Sequence, residues 1–211
     1  RIPTGASRGL HLLLCLAMRG RLCLAGRVGK QHSFALLDDW LPATRALERD
    51  AALAKLAVRY FTGHGPATLR DLIWWSGLTA ADARNAIDGA RAQLAVTVID
   101  GETFWSGASL RTRHASPAPK AHLLPAYDEY TVAYADRSLL LEPRSRLKAN
   151  GMELLSPVVL VDGRAIGTWR RTLGRRGVEI DIRLARRVTR TEADALNDVI
   201  AGQISLVFAP P

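Results

Sequence analysis

From Val178 to Leu184 apolar and polar residues alternate without a break. Val178, Ile180, Ile182 and Leu184 fall on one side, Glu179, Asp181 and Arg183 on the other. A period of two marks a strand with one buried face. Upstream, "VVLVDGRAIGTWRR" predicts a strand, an Asp162-Gly163 turn and a second strand, since Asp-Gly favours the tight type I′ hairpin. Thr191 is placed to cap a helix through Ile200 ended by Gly202, and "ISLVF" predicts a last strand. Elsewhere the period is helical. Residues 7–18 read as a helix ending near Gly20, followed by two strands, "RLCLAGRV" and "HSFALLD", around "GKQ". In "RALERDAALAKLAVRYFTGHG", Leu47, Leu53, Leu56, Ala57 and Tyr60 recur at helical spacing, and Gly63 and Gly65 stop the run. Thr68 and Thr79 cap two further helices, "LRDLIWWSG" and "AADARNAIDGARAQL", and an Asp100-Gly101 turn joins "AVTVID" to "TFWS".

Helix, helix, helix, hairpin is the order of a winged helix, with residues 80–93 in the recognition position of a helix-turn-helix. A helix followed by a hairpin is the closing half of such a module. The pattern therefore predicts an α+β chain of tandem winged-helix (helix-turn-helix) domains followed by a small β-rich domain with a helix. Residues 1–41 form the C-terminal half of one winged helix, which Pro42 closes because it cannot continue a strand ladder. Residues 42–107 form a complete winged helix. The aperiodic, Ser-, Ala- and Pro-rich stretch over residues 108–120 is a linker, and residues 121–211 are the β-rich C-terminal domain.

The 211 residues carry a net charge of +9, and the position of that charge matters more than its size. Residues 45–107 hold seven basic and seven acidic side chains and are neutral. Residues 162–190 hold nine arginines against three acids, so two thirds of the net charge lies in 29 residues. Such a block attracts polyanions. Nearly half the residues are hydrophobic, which excludes a disordered basic tail. Cys15 and Cys23 are too few for a disulfide scaffold and read as reduced thiols of a cytoplasmic protein. No stretch reaches the ~20 apolar residues of a membrane span. "LHLLLCLAM", with basic flanks, resembles a signal peptide superficially, but no clean cleavage site follows it.

The candidate chemistry is that of phosphate recognition. Arg170, Arg171, Arg175 and Arg176 crowd the tip of the hairpin at 168–184, where they suit phosphates or a narrow minor groove; the plainer alternative is an edge strand guarded by charge. Arg27, Lys30 and His32 at the turn of the first hairpin form a second, weaker set. Arg84 and Arg91 on the recognition-position helix form a third, diluted by Asp82 and Asp88, so this module is also readable as a rigid spacer. Trp74 and Trp75 read as core. Asp128 and Glu129, beside Tyr127 and Tyr130, could do acid–base work, or could simply hold a buried turn with an aspartate cap. No CxxC pair, HExxH spacing, phosphate loop or G-x-S-x-G occurs, so neither a metal nor a cofactor is expected.

Four blocks in order, "RLCLAGRVGKQHSFALLDDWLP", "FTGHGPATLRDLIWWSGL", "HLLPAYDEYTVAYADR" and "VLVDGRAIGTWRR", resemble the bacterial winged-helix family of AlkZ-like DNA glycosylases. The resemblance covers essentially the whole chain. It implies tandem winged helices, a β-rich C-terminal part, double-stranded DNA as partner, and hydrolysis of the N-glycosidic bond of bulky alkylated purines or crosslinked bases. The family's catalytic pair, Gln-x-Gln or Gln-x-Asp, lies in its N-terminal winged helix. Here the glutamines are Gln31, Gln93 and Gln203, none with a glutamine or acid two residues on, so no catalytic residue is carried over. The expectation is a monomeric, cytoplasmic DNA-binding body without the catalytic N-terminal part. The alternatives are a non-catalytic winged-helix regulator or resistance protein, and a scaffold whose arginines meet an acidic protein.

Overall fold

The structure is a computed structural model that describes residues 8–29, 31–42, 47–109, 118–142, 145–148, 152–174 and 177–208. The chain is a mixed α/β protein of two compact units, residues 1–47 and 48–211.

In the first unit, helix α1 (Arg8–Met18) precedes the antiparallel pair β1 (Leu22–Val28) and β2 (Gln31–Leu36). Gly20 reverses the chain after α1 at φ +67°, a conformation glycine adopts freely. The second strand stops at Leu36, two residues short of the expected end at Asp38: Leu37 and Asp38 open a one-turn helix, α2 (Leu37–Trp40). Two aspartates in that first turn favour the helix end over a ladder. No described side chain of this unit is buried, and Leu10, Leu12, Leu14, Leu16 and Met18 of α1 are all exposed.

The second unit begins with helices α3 (Arg49–His64), α4 (Leu69–Ser76) and α5 (Ala80–Ala90), then the hairpin β3 (Leu94–Ile99) and β4 (Glu102–Gly107). Leu47 lies outside α3 and is exposed, and the helix passes through Gly63 to end at Gly65, so only the second glycine stops it. Gly65 is required there by space: a Cβ would overlap the Phe61 carbonyl oxygen and lie 2.7 Å from Ser106 Cα. Thr68 caps α4 in a reciprocal box with Asp71, and Thr79 caps α5 through the Asp82 amide. A short 3-10 turn, Arg91–Gln93, replaces the last turn expected of α5. Asp100 and Gly101 sit at φ +52° and +82°, as a type I′ turn requires. Tyr60, Phe61 and Leu72 are fully buried here among alanines of α3 and α5. Burial of each such side chain stabilises the fold by about 1.5–3 kcal/mol.

Beyond residue 118 the chain forms a four-stranded antiparallel sheet in the order β5 (Ala121–Leu124), β6 (Val158–Val161), β7 (Arg164–Gly174), β8 (Gly177–Leu184). Strand β5 lies in an apolar run to which the sequence pattern assigns no strand. All four residues of β6 are buried, which explains its unbroken apolar run. After β5, the one-turn helix α6 (Glu129–Val132) is capped by Asp128. The long helix α7 (Arg190–Phe208) lies on the sheet through Leu196.

Two expectations fail at α7. Thr189, not Thr191, caps it: its hydroxyl accepts from the Glu192 amide at 3.3 Å, and Glu192 returns a bond to the Thr189 amide at 2.8 Å. Only Thr189 has a glutamate three residues on, which is what the box needs. "ISLVF" is helical, not a strand. A short apolar run has no period to separate a strand from a helix. One glycine costs a helix only about 1 kcal/mol, and an existing helix elongates without a new nucleus.

Candidate functional site

Among the described residues the β7–β8 ribbon carries four arginines, Arg164, Arg170, Arg171 and Arg183. Its register pairs Arg170 with Asp181, Arg171 with Ile180 and Thr172 with Glu179, and Gly174 faces Gly177 at the tip. Alternation therefore sends Arg170 and Arg171 to opposite faces. Trp169, Ile180 and Ile182 form the face packed towards the core with α7. On the other face the Asp181 carboxylate lies 3.8 Å from both Arg170 and Arg183. Arg170 is thus part of a shared ion pair, while exposed Arg171 has no ion pair among the described residues. Arg175 and Arg176 lie outside the described residues, so the four arginines read from the sequence as one cluster are not seen together.

The other basic candidates are scattered. Arg27 and His32 face each other across β1 and β2, both exposed, and Lys30 lies outside the described residues. On α5, Arg84 and Asn85 are exposed. The neighbouring Asp82 is held by Arg49 at 2.9 Å; that guanidinium, with the Thr79 hydroxyl, lowers the Asp82 carboxyl below its ordinary value. Arg91 lies over the Trp105 ring at 5.7 Å and 3.7 Å from Asp88. The exposed surface around α5 is thus of mixed sign, and the β3–β4 turn carries Asp100 and Glu102.

A second cluster was missed in the sequence. At the end of α3, His64 stacks on Tyr60 with ring centroids 4.8 Å apart and meets Trp75 at 5.6 Å. Glu129 of α6 lies 3.1 Å from His64 Nε2 and accepts the Trp75 indole N–H. His64 Nδ1 lies 3.2 Å from the Tyr60 carbonyl. Tyr134 donates to the His64 carbonyl, and the Ala135 amide donates to Asp71. These bonds fasten residues 129–135 onto α3 and α4. Desolvation pushes the Tyr60, Tyr130 and Tyr134 hydroxyls above the ordinary tyrosine value.

The carboxylates singled out in the sequence therefore have separate structural duties. Asp128 accepts the Tyr130 amide as a helix cap, and Glu129 joins His64 to Trp75. Of the two tryptophans expected in the core, only Trp75 is packed there. Trp74 is 55% exposed, because it stands two residues, about 200°, round the helix from buried Leu72 and one turn on from exposed Arg70. Its indole N–H donates to the Val132 carbonyl, and Arg137 lies over the ring at 5.8 Å. Beside this cluster opens a cleft of about 320 Å³ bounded by His64, Arg70, Glu102, Phe104, Tyr134 and Asp136. No grouping of three or more metal-ligating side chains occurs among the described residues. Nor is any helix among them long and apolar enough to cross a membrane.

Comparison with known proteins places this geometry in context. A family model described as DNA glycosylase AlkZ-like matches residues 4–202. A curated protein from Streptomyces sahachiroi, "Interstrand DNA cross-link repair glycosylase", is 26% identical over 167 residues, covering 73% of this chain and 44% of that protein. A solved structure, "Streptomyces sahachiroi DNA glycosylase AlkZ", superposes with a TM-score of 0.67 at 22% identity. It covers 90% of this chain and 53% of its own, a likeness of fold. The chain spans about half the length of the relatives it matches.

Proposed function

Because the chain belongs to the AlkZ-like DNA glycosylase family, we propose that these residues form the double-stranded-DNA-binding body of a cytoplasmic, monomeric repair glycosylase. Its targets are bulky alkylated purines or interstrand crosslinks. The family match carries this reading, and the name of the curated relative supports the crosslink. An alkylated purine held as a cation leaves its sugar readily. The enzyme's tasks are then to expose the lesion, position a water and stabilise the developing sugar cation. No residue of this chain is assigned to that step.

The order α3, α4, α5, β3, β4 supports a winged helix over residues 42–107, with α4 and α5 as its helix-turn-helix. Helix α1 with β1 and β2 supports the closing half of another over residues 1–41. Residues 108–120 are the linker to the β-rich domain over residues 121–211. We assign the principal DNA contact to the β7–β8 ribbon, through Arg171, Arg175, Arg176 and the part of Arg170 not neutralised by Asp181. Arg27, Lys30 and His32 form a lesser contact. The mixed charge of α5 argues that Arg84 and Arg91 contribute least. These contacts address phosphates and groove shape, as scanning any sequence requires.

The second reading is a non-catalytic regulator or resistance protein on the same scaffold, since no residue of the described site is assigned to base release. Duplex affinity measured by fluorescence anisotropy at several salt concentrations tests the binding assignment. Replacing Arg171, Arg175 and Arg176 by alanine should weaken binding to all duplexes alike and shrink the salt slope by about three, one for each phosphate no longer neutralised. An unchanged slope refutes the ribbon as the contact. A strong sequence preference in the parent protein favours the regulator.

A further inference from the structure

The cleft beside His64 differs in sign from the rest of this basic chain. Its walls are aromatic: Phe104 comes from β4, and Tyr130 and Tyr134 from the segment fastened onto α3 and α4. Its polar groups are mostly acceptors. Asp71 is buried and fully engaged, accepting from the Thr68 amide, the Thr68 hydroxyl and the Ala135 amide. Glu102 and Asp136 are exposed at the mouth. Asp136 accepts from the Ser138 amide at 2.8 Å and retains further lone pairs, and no described residue hydrogen-bonds or ion-pairs with Glu102. The Tyr130 and Tyr134 hydroxyls donate to the Gly163 and His64 carbonyls, so neither is left to donate to a ligand. Among the described residues Arg70 is the one guanidinium at the rim, and His64 is held by Glu129.

A hollow with aromatic walls and two exposed carboxylates against one guanidinium at its mouth suits one kind of ligand: a cation that brings N–H donors. Aromatic faces attract such a cation through their quadrupole, and the carboxylates add charge-assisted bonds. Phosphate would meet Glu102, Asp71 and Asp136 and be repelled. We propose that this cleft binds a small organic cation that carries nitrogen donors on a flat or apolar body. A volume of about 320 Å³ is at the small end of ligand pockets, which restricts the occupant to one or two rings. The inference goes beyond the DNA-binding reading and does not rest on it, since the ribbon and the cleft use different residues and opposite charge.

A charge series of equal shape tests the proposal: benzamidine, benzamide and benzoate, titrated into the full chain while proton NMR follows the tyrosine and phenylalanine rings. Benzamidine should shift a saturable subset of rings that includes Phe104, Tyr130 and Tyr134, assigned by single substitution. Benzamide should bind at least about tenfold more weakly, and benzoate should not saturate. Asp136→Asn and Glu102→Gln should each weaken benzamidine about three- to fivefold, as loss of one partly exposed charge allows. Both side chains are exposed, so melting temperatures should stay at the parent value. If one variant fails to fold, the other still decides the matter. Equal affinity for benzamidine and benzamide, no saturable shift, or an affinity unchanged in a folded variant would overturn the proposal.

Discussion

Asp181 sits between two guanidiniums on a surface we assign to DNA, so removing its charge should strengthen DNA binding. The carboxylate lies 3.8 Å from both Arg170 and Arg183, with the arginine side chains 74% and 79% exposed and its own 44%. At that distance each attraction is worth about 1 kcal/mol in water, and measured exposed pairs fall between about 0 and 1 kcal/mol. Folding therefore owes little to this pair, and Asp181→Asn should change stability by less than about 0.5 kcal/mol. For DNA the effect is larger. The charge of the three residues rises from +1 to +2 as the acid is neutralised. The freed cation can neutralise about one more phosphate, steepening the salt slope by about 0.9 and raising low-salt affinity several-fold. Asp100→Asn supplies the control: it deletes the same charge at the β3–β4 turn, where the αL backbone accepts asparagine, and should leave the slope alone. Anisotropy with one fluorescent duplex, at four or five salt concentrations, measures both variants. An Asp181→Asn slope equal to the parent's, or an equal gain from Asp100→Asn, would refute the ribbon as the local contact and leave only the overall charge.

Three further outcomes follow from the packing. Arg186 and the Thr189 amide hold the Glu192 carboxyl down from 4.5 to about 2, so its stabilisation is complete above the unfolded value and is lost as pH falls towards the folded one. Glu192→Gln should cost about 1–2 kcal/mol in urea unfolding at pH near 7, and the gap to the parent should close between pH of about 5 and about 2; a cost independent of pH would show that the charge is idle. Gly65→Ala should lower stability by about 2 kcal/mol or more, read as a fall in melting temperature, because its Cβ would overlap the Phe61 carbonyl and Ser106. Thiol titration in denaturant without reductant should count two per chain, since Cys15 and Cys23 are both free; zero would mean a disulfide.

What the sequence makes legible here is what is local. The threonines at 68 and 79, and the Asp-Gly pairs at 100–101 and 162–163, each act through bonds or dihedrals within four residues, and each lies where its chemistry predicts. The strand over 177–184 is legible because apolar and polar residues alternate: Val178, Ile180 and Ile182 are half-buried and Glu179 and Arg183 exposed, although Leu184, expected on the buried face, is exposed at the strand end. Where both sides are alike, the signal disappears. "ISLVF" carries no period, and its helix follows from the capping at Thr189, many residues upstream. Trp74 and Trp75 are adjacent and chemically identical, so only the helix phase, set by Leu72 beneath, decides that one is packed and the other exposed. His64 and Glu129 are 65 residues apart in sequence, and neither sits in a pattern that announces the other.

The same limit governs charge. Counting residues along the chain ranks segments by net charge, and by that count 162–190 stands far above the rest. Affinity for a polyanion depends instead on cations whose field is not already closed by a carboxylate. Arg186 lies 2.8 Å from both Glu142 and Glu192, and both acids come from outside the segment. Arg170 and Arg183 divide Asp181. Arg171, Arg187 and Arg190 are exposed and form no ion pair among the described residues. Three arginines of the block are thus closed wholly or in part by acids, two of which the segment count ignores. The two segments differ by the same criterion: Asp82 of α5 lies against Arg49, and Arg91 of the 3-10 turn that follows lies over an aromatic ring and near Asp88, which leaves little unbalanced field there. If α5 holds the recognition position, as we propose, its order in the chain marks where it stands, whereas the pairing of the charges around it favours the ribbon as the DNA contact we assign.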